Sequence, residues 1–132
     1  MKLGYIILYV PKVDEAVAFY EAAFGLECRF THEGGDYAEM ETGETVLAFA
    51  SEELADSHGF AYRKTTSDGD APSVELALVT DDVQSAFDKA IAAGAAAAKP
   101  PTKQPWGQTV SYLRDANGYL VEICSPVGGP TP

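Results

Sequence analysis

At 132 residues, 46% of them hydrophobic, the chain suffices for one domain of ordinary size or two small modules sharing a core. Its 20 acids against 9 bases give a net charge of −11. No basic surface is left to displace counterions from nucleic acid, and anionic membrane surfaces are disfavoured for the same reason.

No apolar run approaches the roughly 18 residues of a membrane span. The acidity fits plain solubility, or a preference for cationic or metal-bearing ligands. The opening "MKLGYIILYVP" has one lysine and no small-residue cleavage site, and a helical pattern follows at once. It reads as a strand over Tyr5–Val10 and not as a signal peptide. In "KVDEAVAFYEAAFG", Val13, Ala16, Val17, Tyr20 and Phe24 recur at helical spacing, and Gly25 stops the helix. "LECRF", "DYAEME" and "ETVLAFA" read as strands, with Thr42-Gly43 in the last turn. His32, before Glu33-Gly34-Gly35, belongs to a solvated turn.

Residues 51–73 form a polar stretch containing "TTSDGDAP". A loop of that length is functional, mobile or a linker, and His58 within it is expected at the surface. "VELALV", Val74–Val79, is the next strand. In "TDDVQSAFDKAIAAG", Val83, Ala86, Phe87, Ala90 and Ile91 share a helix face, with Asp81 as the expected N-cap and Gly94 as the stop. "AAAAK" is strand-like, and "KPPTKQPWG" (Lys99–Gly107) reads as irregular, stiffened by its prolines. "QTVSYLR" and "GYLVEIC" form a hairpin turned by Asp115-Ala116-Asn117-Gly118. The tail, 127–132, has turn composition and is expected to fray. Cys28 and Cys124 lie in strands outside any CxxC pair, which suits reduced thiols in the cytoplasm.

The chain repeats itself. At an offset of 70, Tyr5 falls on Glu75, Leu8 on Leu78, Val13 on Val83 and Ala16 on Ala86. Each half reads β-α-β-β-β. The expected division is module one at 1–50, an inter-module loop at 51–73, module two at 74–126 and the tail. A βαβββ sheet carries its helix on one face, and the other face needs cover. Two such modules give an α+β fold, an incomplete eight-stranded barrel with a cleft.

This repeat, with "FYEAAFGLE", "VTDDVQSAFDKAIAAGA" and "RDANGYLVEI", resembles the vicinal oxygen chelate superfamily of glyoxalase I, bleomycin-resistance proteins and extradiol dioxygenases. The likeness runs from Lys2 to about Pro126. It implies paired modules, commonly a homodimer, with ligand sites in the open barrels. Metal-using members take ligands from the first strand of each module, usually His, and from the last strand, usually Glu. The matching positions here are Tyr5, Glu75 and Glu122, with Leu47 or Ala48 as the fourth. The usual histidines are absent, and a two-His-one-carboxylate iron site cannot be assembled at these positions.

Strand alternation puts Tyr5, Ile7 and Tyr9 on one face, and likewise Glu75, Ala77 and Val79, and Leu120, Glu122 and Cys124. A mid-strand glutamate on a helix-packing face would cost several kcal/mol unless paired. Glu75 and Glu122 are therefore expected to face the cleft. Three readings stay open for them. They line a wet cleft and bond to Tyr5, Arg114 or Gln108. They hold a cationic or hydroxyl-rich small molecule, with Tyr5, Tyr9 and Trp106 as stacking surfaces. Or, with Tyr5, they form a hard-ligand site for a divalent or ferric metal. Ser111 faces Glu122 if the hairpin loop has two residues, and Tyr112 faces it if a bulge sits at Gly118.

The leading expectation is a cytoplasmic small-molecule-binding protein without the usual metal site, sequestering a drug or metabolite. Ligand contacts come from Tyr5, Tyr9, Trp106, Gln108, Ser111 and Tyr112, and no cofactor is favoured. Its rival is an enzyme: a metal-dependent lyase or isomerase of the lactoylglutathione lyase kind, a dioxygenase, or a metal-free acid/base catalyst using Glu75 and Glu122. The chain has no spacing that calls for nucleophilic catalysis and no Gly-rich phosphate loop.

Overall fold

The computed structural model describes residues 1–129. Residues 130–132 of the tail lie outside the described residues. Two compact units divide the chain, Met1–Lys64 and a second beginning at Thr65. Each is a βαβββ module with a four-stranded sheet, so the α+β class and the repeat hold.

In module one, β1 (Tyr5–Val10), α1 (Val13–Phe24), β2 (Cys28–Thr31), β3 (Tyr37–Met40) and β4 (Val46–Ser51) form a sheet of order β1-β4-β3-β2. β1 runs parallel to β4, and the other pairs are antiparallel. Acidic Asp14 and Glu15 in the first turn of α1 suit the helix dipole. Gly25 ends the helix at φ 67, a conformation that side chains disfavour. α1 buries Val13, Ala16, Tyr20 and Ala23 against the sheet. Tyr20 meets Phe49 edge-on, their ring centroids 4.9 Å apart. Leu8, Val10, Ala38, Met40 and Leu47 complete this core.

The stretch after β4 is more ordered than its composition implies. Ser51 caps a short helix, α2 (Glu52–Asp56), by accepting from the Leu54 amide at 3.0 Å. Tyr62 then packs on Tyr9 at 5.1 Å and donates to Asp56 at 3.0 Å. His58 and His32 are exposed, as expected.

In module two, β5 (Glu75–Val79), α3 (Val83–Ala92), β6 (Ala96–Lys103), β7 (Thr109–Arg114) and β8 (Leu120–Cys124) form a sheet of order β5-β8-β7-β6. The cap of α3 is Asp82, not Asp81: its carboxylate accepts from the Ser85 amide at 3.1 Å. An N-cap serves the amide two or three positions on, and the helix begins at Val83. α3 buries Val83, Phe87 and Ala90. β6 runs through Pro100 and Pro101, where an irregular segment was expected. It is an edge strand, and the prolines sit where its register with β7 shifts, so the ladder loses little by their missing donors.

The β7–β8 turn takes the bulged form. Asp115 and Tyr119 pair, the Gly118 amide bonds back to the Asp115 carbonyl at 3.1 Å, and Gly118 has φ 95. Tyr112 therefore faces Glu122. Asp115, only 4% exposed, accepts from the amides of Asn117 and Tyr119, each at 2.9 Å. Asp115→Ala would leave both donors without their acceptor. A loss of about 2 kcal/mol is expected in urea unfolding, and a smaller one for Asp115→Asn.

Candidate functional site

In module two the side chains separate by strand alternation. Ser111, Leu113, Val121 and Ile123 share the buried face that meets α3. Tyr112, Arg114, Leu120, Glu122 and Cys124 take the other face, and the parallel pairing of β5 with β8 adds Glu75, Ala77 and Val79 to it. Both glutamates thus share the face away from the helix. Ser111 does not: it is fully buried and its hydroxyl donates to the Ile123 carbonyl at 2.8 Å. As a ligand contact it is excluded by the register, since the bulged turn puts it one residue away from the Glu122 row.

Glu75 pairs with Leu120, and Ala77 pairs with Glu122. Glu75 is thus a diagonal neighbour of Glu122, over the small Ala77 side chain, within reach of a long side chain. The two carboxyls share a hydrogen bond. That bond, then burial, then the charge of Glu122 push Glu75 up to about 7. The Tyr112 hydroxyl is raised as well, by burial first and then by the charges of Glu122 and Glu75 and a hydrogen bond to Glu122. Burial and Glu122 likewise push the Cys124 thiol up to about 11, with a hydrogen bond from Gln108 acting the other way. Glu122, 8% exposed, is thus the charge common to the shifts of Glu75, Tyr112 and Cys124.

Among the described residues no lysine, arginine or histidine forms an ion pair with Glu75 or Glu122. Arg114 shares their face but is spent elsewhere. Its Nε donates to the Gly118 carbonyl at 2.7 Å, and its Nη2 donates to those of Thr66 at 3.2 Å and Gly69 at 2.9 Å. Gln108 is spent too, donating to the Ser125 carbonyl at 2.9 Å and accepting from the Trp106 indole at 2.8 Å. The expectation that these two side chains pair with the glutamates is corrected accordingly. Trp106 is 63% exposed, its ring oriented by Gln108.

Module one has its own face away from α1. Tyr5, Ile7 and Tyr9 lie on it, opposite Val46, Ala48 and Ala50. The fourth ligand position on this face is thus Ala48, while Leu47 points to the core. A carboxylate is nevertheless present, one strand over. Glu39 on β3 faces Ala48, accepts from the Tyr37 hydroxyl at 2.8 Å and lies 3.8 Å from Arg29. Burial and that hydrogen bond push Tyr37 up to about 12. The alternation in "DYAEME" carried this signal: Ala38 and Met40 face the helix, so Tyr37 and Glu39 face away.

These donors lack the usual histidines of a divalent-metal site. Among the described residues no three His, Cys, Asp or Glu side chains are grouped to hold an ion. The module-two positions are two carboxyls sharing a hydrogen bond, and those of module one are a tyrosine and an alanine. A metal ligand must be deprotonated.

A family model described as Glyoxalase/Bleomycin resistance protein/Dioxygenase superfamily matches residues 2–123. No curated protein matches the chain. Solved structures share the fold at low identity. A glyoxalase-related enzyme from Fulvimarina pelagi is 22% identical, with a TM-score of 0.81 over 95% of this chain and 88% of that one. A glyoxalase/bleomycin resistance protein/dioxygenase family enzyme from Burkholderia phytofirmans PsJN is 21% identical, at 0.79 over 95% and 98%. A superfamily member from Sphaerobacter thermophilus DSM 20745 is 20% identical, at 0.70 over 96% and 98%.

Proposed function

We propose, from the premise that the chain belongs to the Glyoxalase/Bleomycin resistance protein/Dioxygenase superfamily, that it binds a small organic molecule on the carboxyl face of module two. Members of this superfamily often hold divalent metals and often form dimers. The observation that carries the proposal is the Glu75–Glu122 pair, which faces away from α3 and forms no ion pair among the described residues. With Glu75 at about 7, such a pair holds its shared proton about half the time at neutral pH, so it can donate as well as accept, and it carries net negative charge. A cationic or hydroxyl-bearing ligand satisfies both properties. Tyr112 flanks the pair, and the exposed Trp106 ring offers a stacking surface.

The test is titration with a panel of cationic and neutral aromatic compounds, followed by tryptophan fluorescence and calorimetry. For the Glu75→Gln, Glu122→Gln double variant, affinity for cations is expected to fall about 10- to 100-fold, the loss of one charge-assisted hydrogen bond or more. Equal affinity in the double variant would sink the anchor role. The proposal includes a cytoplasmic location, which keeps both free thiols reduced, and a homodimer. A light-scattering mass of a single chain removes the dimer.

One observation favours a second reading. Glu75 titrates at about 7, the range in which a general acid or base works best. The enzyme on this reading is a metal-free acid/base catalyst, with Glu75 moving the proton and Glu122 holding it. A bell-shaped or single-step rate profile near pH 7 on a turned-over ligand, abolished in Glu75→Gln, is the expected signature. Tight binding without turnover across the panel leaves the binding reading alone.

A further inference from the structure

Trp106 is the only tryptophan in the chain and is 63% exposed. A lone exposed aromatic is ordinary on a protein surface. This one differs in being fixed twice, at its backbone and at its ring. Its backbone lies in the β6–β7 turn, which repeats the bulged form of the β7–β8 turn. The Gln104 amide donates to the Gln108 carbonyl at 2.8 Å, the Gly107 amide bonds back to the Gln104 carbonyl at 2.9 Å, and Gly107 has φ 97. Pro105, the residue before the ring, has its φ set by its own side chain.

The ring is held by Gln108. The indole Nε1 donates to the Gln108 Oε1 at 2.8 Å, and the Gln108 Nε2 donates to the Ser125 carbonyl at 2.9 Å. A carboxamide carries an acceptor and a donor on one rigid plane, and here each end has the partner its chemistry requires. Ser125 is held in turn. Its amide donates to the Thr109 carbonyl at 2.9 Å, and its hydroxyl accepts from the Thr109 amide at 2.8 Å. The support under the ring is therefore backbone tied to β7, not a second mobile side chain.

Gln108 also has a definite place on the sheet. Tyr112 pairs with Glu122 and Val110 with Cys124, all on the face away from α3. Gln108 continues that alternation two residues before Val110. About 13 Å of extended chain separates it from the row of Tyr112 and Glu122. We propose that Gln108 is a positioning residue that presets the Trp106 ring for stacking, and that the ligand of this face is an aromatic cation, its flat ring on Trp106 and its ammonium group by Glu122, about 13 Å away. Such a role presupposes that the carboxyl face of module two binds a small molecule, as proposed above. A ring already held loses little freedom when a ligand stacks on it, so affinity rises without a new contact.

The probes are phenylalkylamines of rising chain length and the matched alkylamines that lack the ring. Because the chain has one tryptophan, quenching of its fluorescence reads contact with Trp106 alone, and calorimetry reads affinity. In the parent protein the phenyl series is expected to bind about tenfold tighter than the alkyl series once its chain spans the gap, and to be the series that quenches. Gln108→Met fills similar space without either hydrogen bond. It should cost the phenyl series about three- to tenfold and leave the alkyl series within about twofold. Trp106→Ala should abolish the preference for the ring, and adding Gln108→Met to it should cost nothing further. A merely stabilising role for Gln108 would not produce that pattern. Trp106→Phe keeps a ring but has no N–H for Gln108 to hold, and it serves if Gln108→Met does not fold; the preference should fall about threefold or more. Equal losses for both series in Gln108→Met, additive losses in the double variant, or an unchanged preference in Trp106→Phe overturns the proposal. If alkylamines bind and the ring adds nothing, the carboxyl face still binds cations and the role of Gln108 and Trp106 falls. If neither series binds, both fall.

Discussion

Gly118→Ala is expected to destabilise the protein by about 3 kcal/mol, more than its single added methyl suggests. Two costs coincide at this position. The backbone holds φ 95, which an L side chain enters at about 1–2 kcal/mol. The new Cβ also meets a backbone oxygen, the Thr66 carbonyl, at 2.2 Å, so the backbone that Arg114 holds there must shift. Gly107 supplies the control. It has nearly the same φ, 97, but nothing lies within 4 Å of an added Cβ. Gly107→Ala should cost only the conformational part, about 1 kcal/mol. The measurement is the urea midpoint of each variant at unchanged slope. If the two substitutions cost the same, the contact between Thr66 and the turn contributes nothing to stability.

The contrast between these glycines bears on what could be read from sequence. Local signals sufficed for β1, for Gly25 and for the repeat at an offset of 70, because periodicity and chain-breaking residues act over a few positions. They sufficed also for the placement of Glu75 and Glu122 on one face. They did not reach Asp82, one residue from the expected cap, because two adjacent aspartates offer the same chemistry. The prolines of β6 misled for a different reason. Whether a strand tolerates proline depends on its place at the sheet edge, which is a property of topology and not of the segment.

The site was legible only in part. Tyr112 and Ser111 differ by one residue in register, and the bulge at Gly118 decides between them. Arg114 is a clear example of information that sequence lacks. Its three acceptors include two carbonyls more than forty positions away, and backbone carbonyls have no sequence signature. A cation near two glutamates reads as their partner until its geometry is known. Glu39 stands outside the expected site because its strand, β3, is not one that carries metal ligands in related proteins.

The pH dependence of stability separates the two glutamates. Glu75 titrates at about 7 when folded and near the ordinary glutamate value of about 4.3 when unfolded. Between those values the folded state holds more protons than the unfolded one, so stability falls as pH rises. The favourable contribution is complete below about pH 4.3 and is gone once pH passes about 7. Glu75→Gln removes this dependence, because its amide donates to Glu122 at every pH. The variant is therefore expected to gain on the parent protein as pH climbs from 5 to 8, and to hold that gain above. Comparing urea midpoints of the two proteins at each pH cancels the other carboxylates. Glu122→Gln should instead cost stability. Its position is buried, and its hydrogen bond and charge are what raise Glu75. An amide there turns one acceptor into a donor, at about 2 kcal/mol at low pH, and because it also removes the main causes of the Glu75 shift, the loss relative to the parent shrinks as pH rises through about 7. Should both substitutions shift stability equally and without regard to pH, the carboxyls do not share a proton. The anchor role proposed for them would then lose its physical basis.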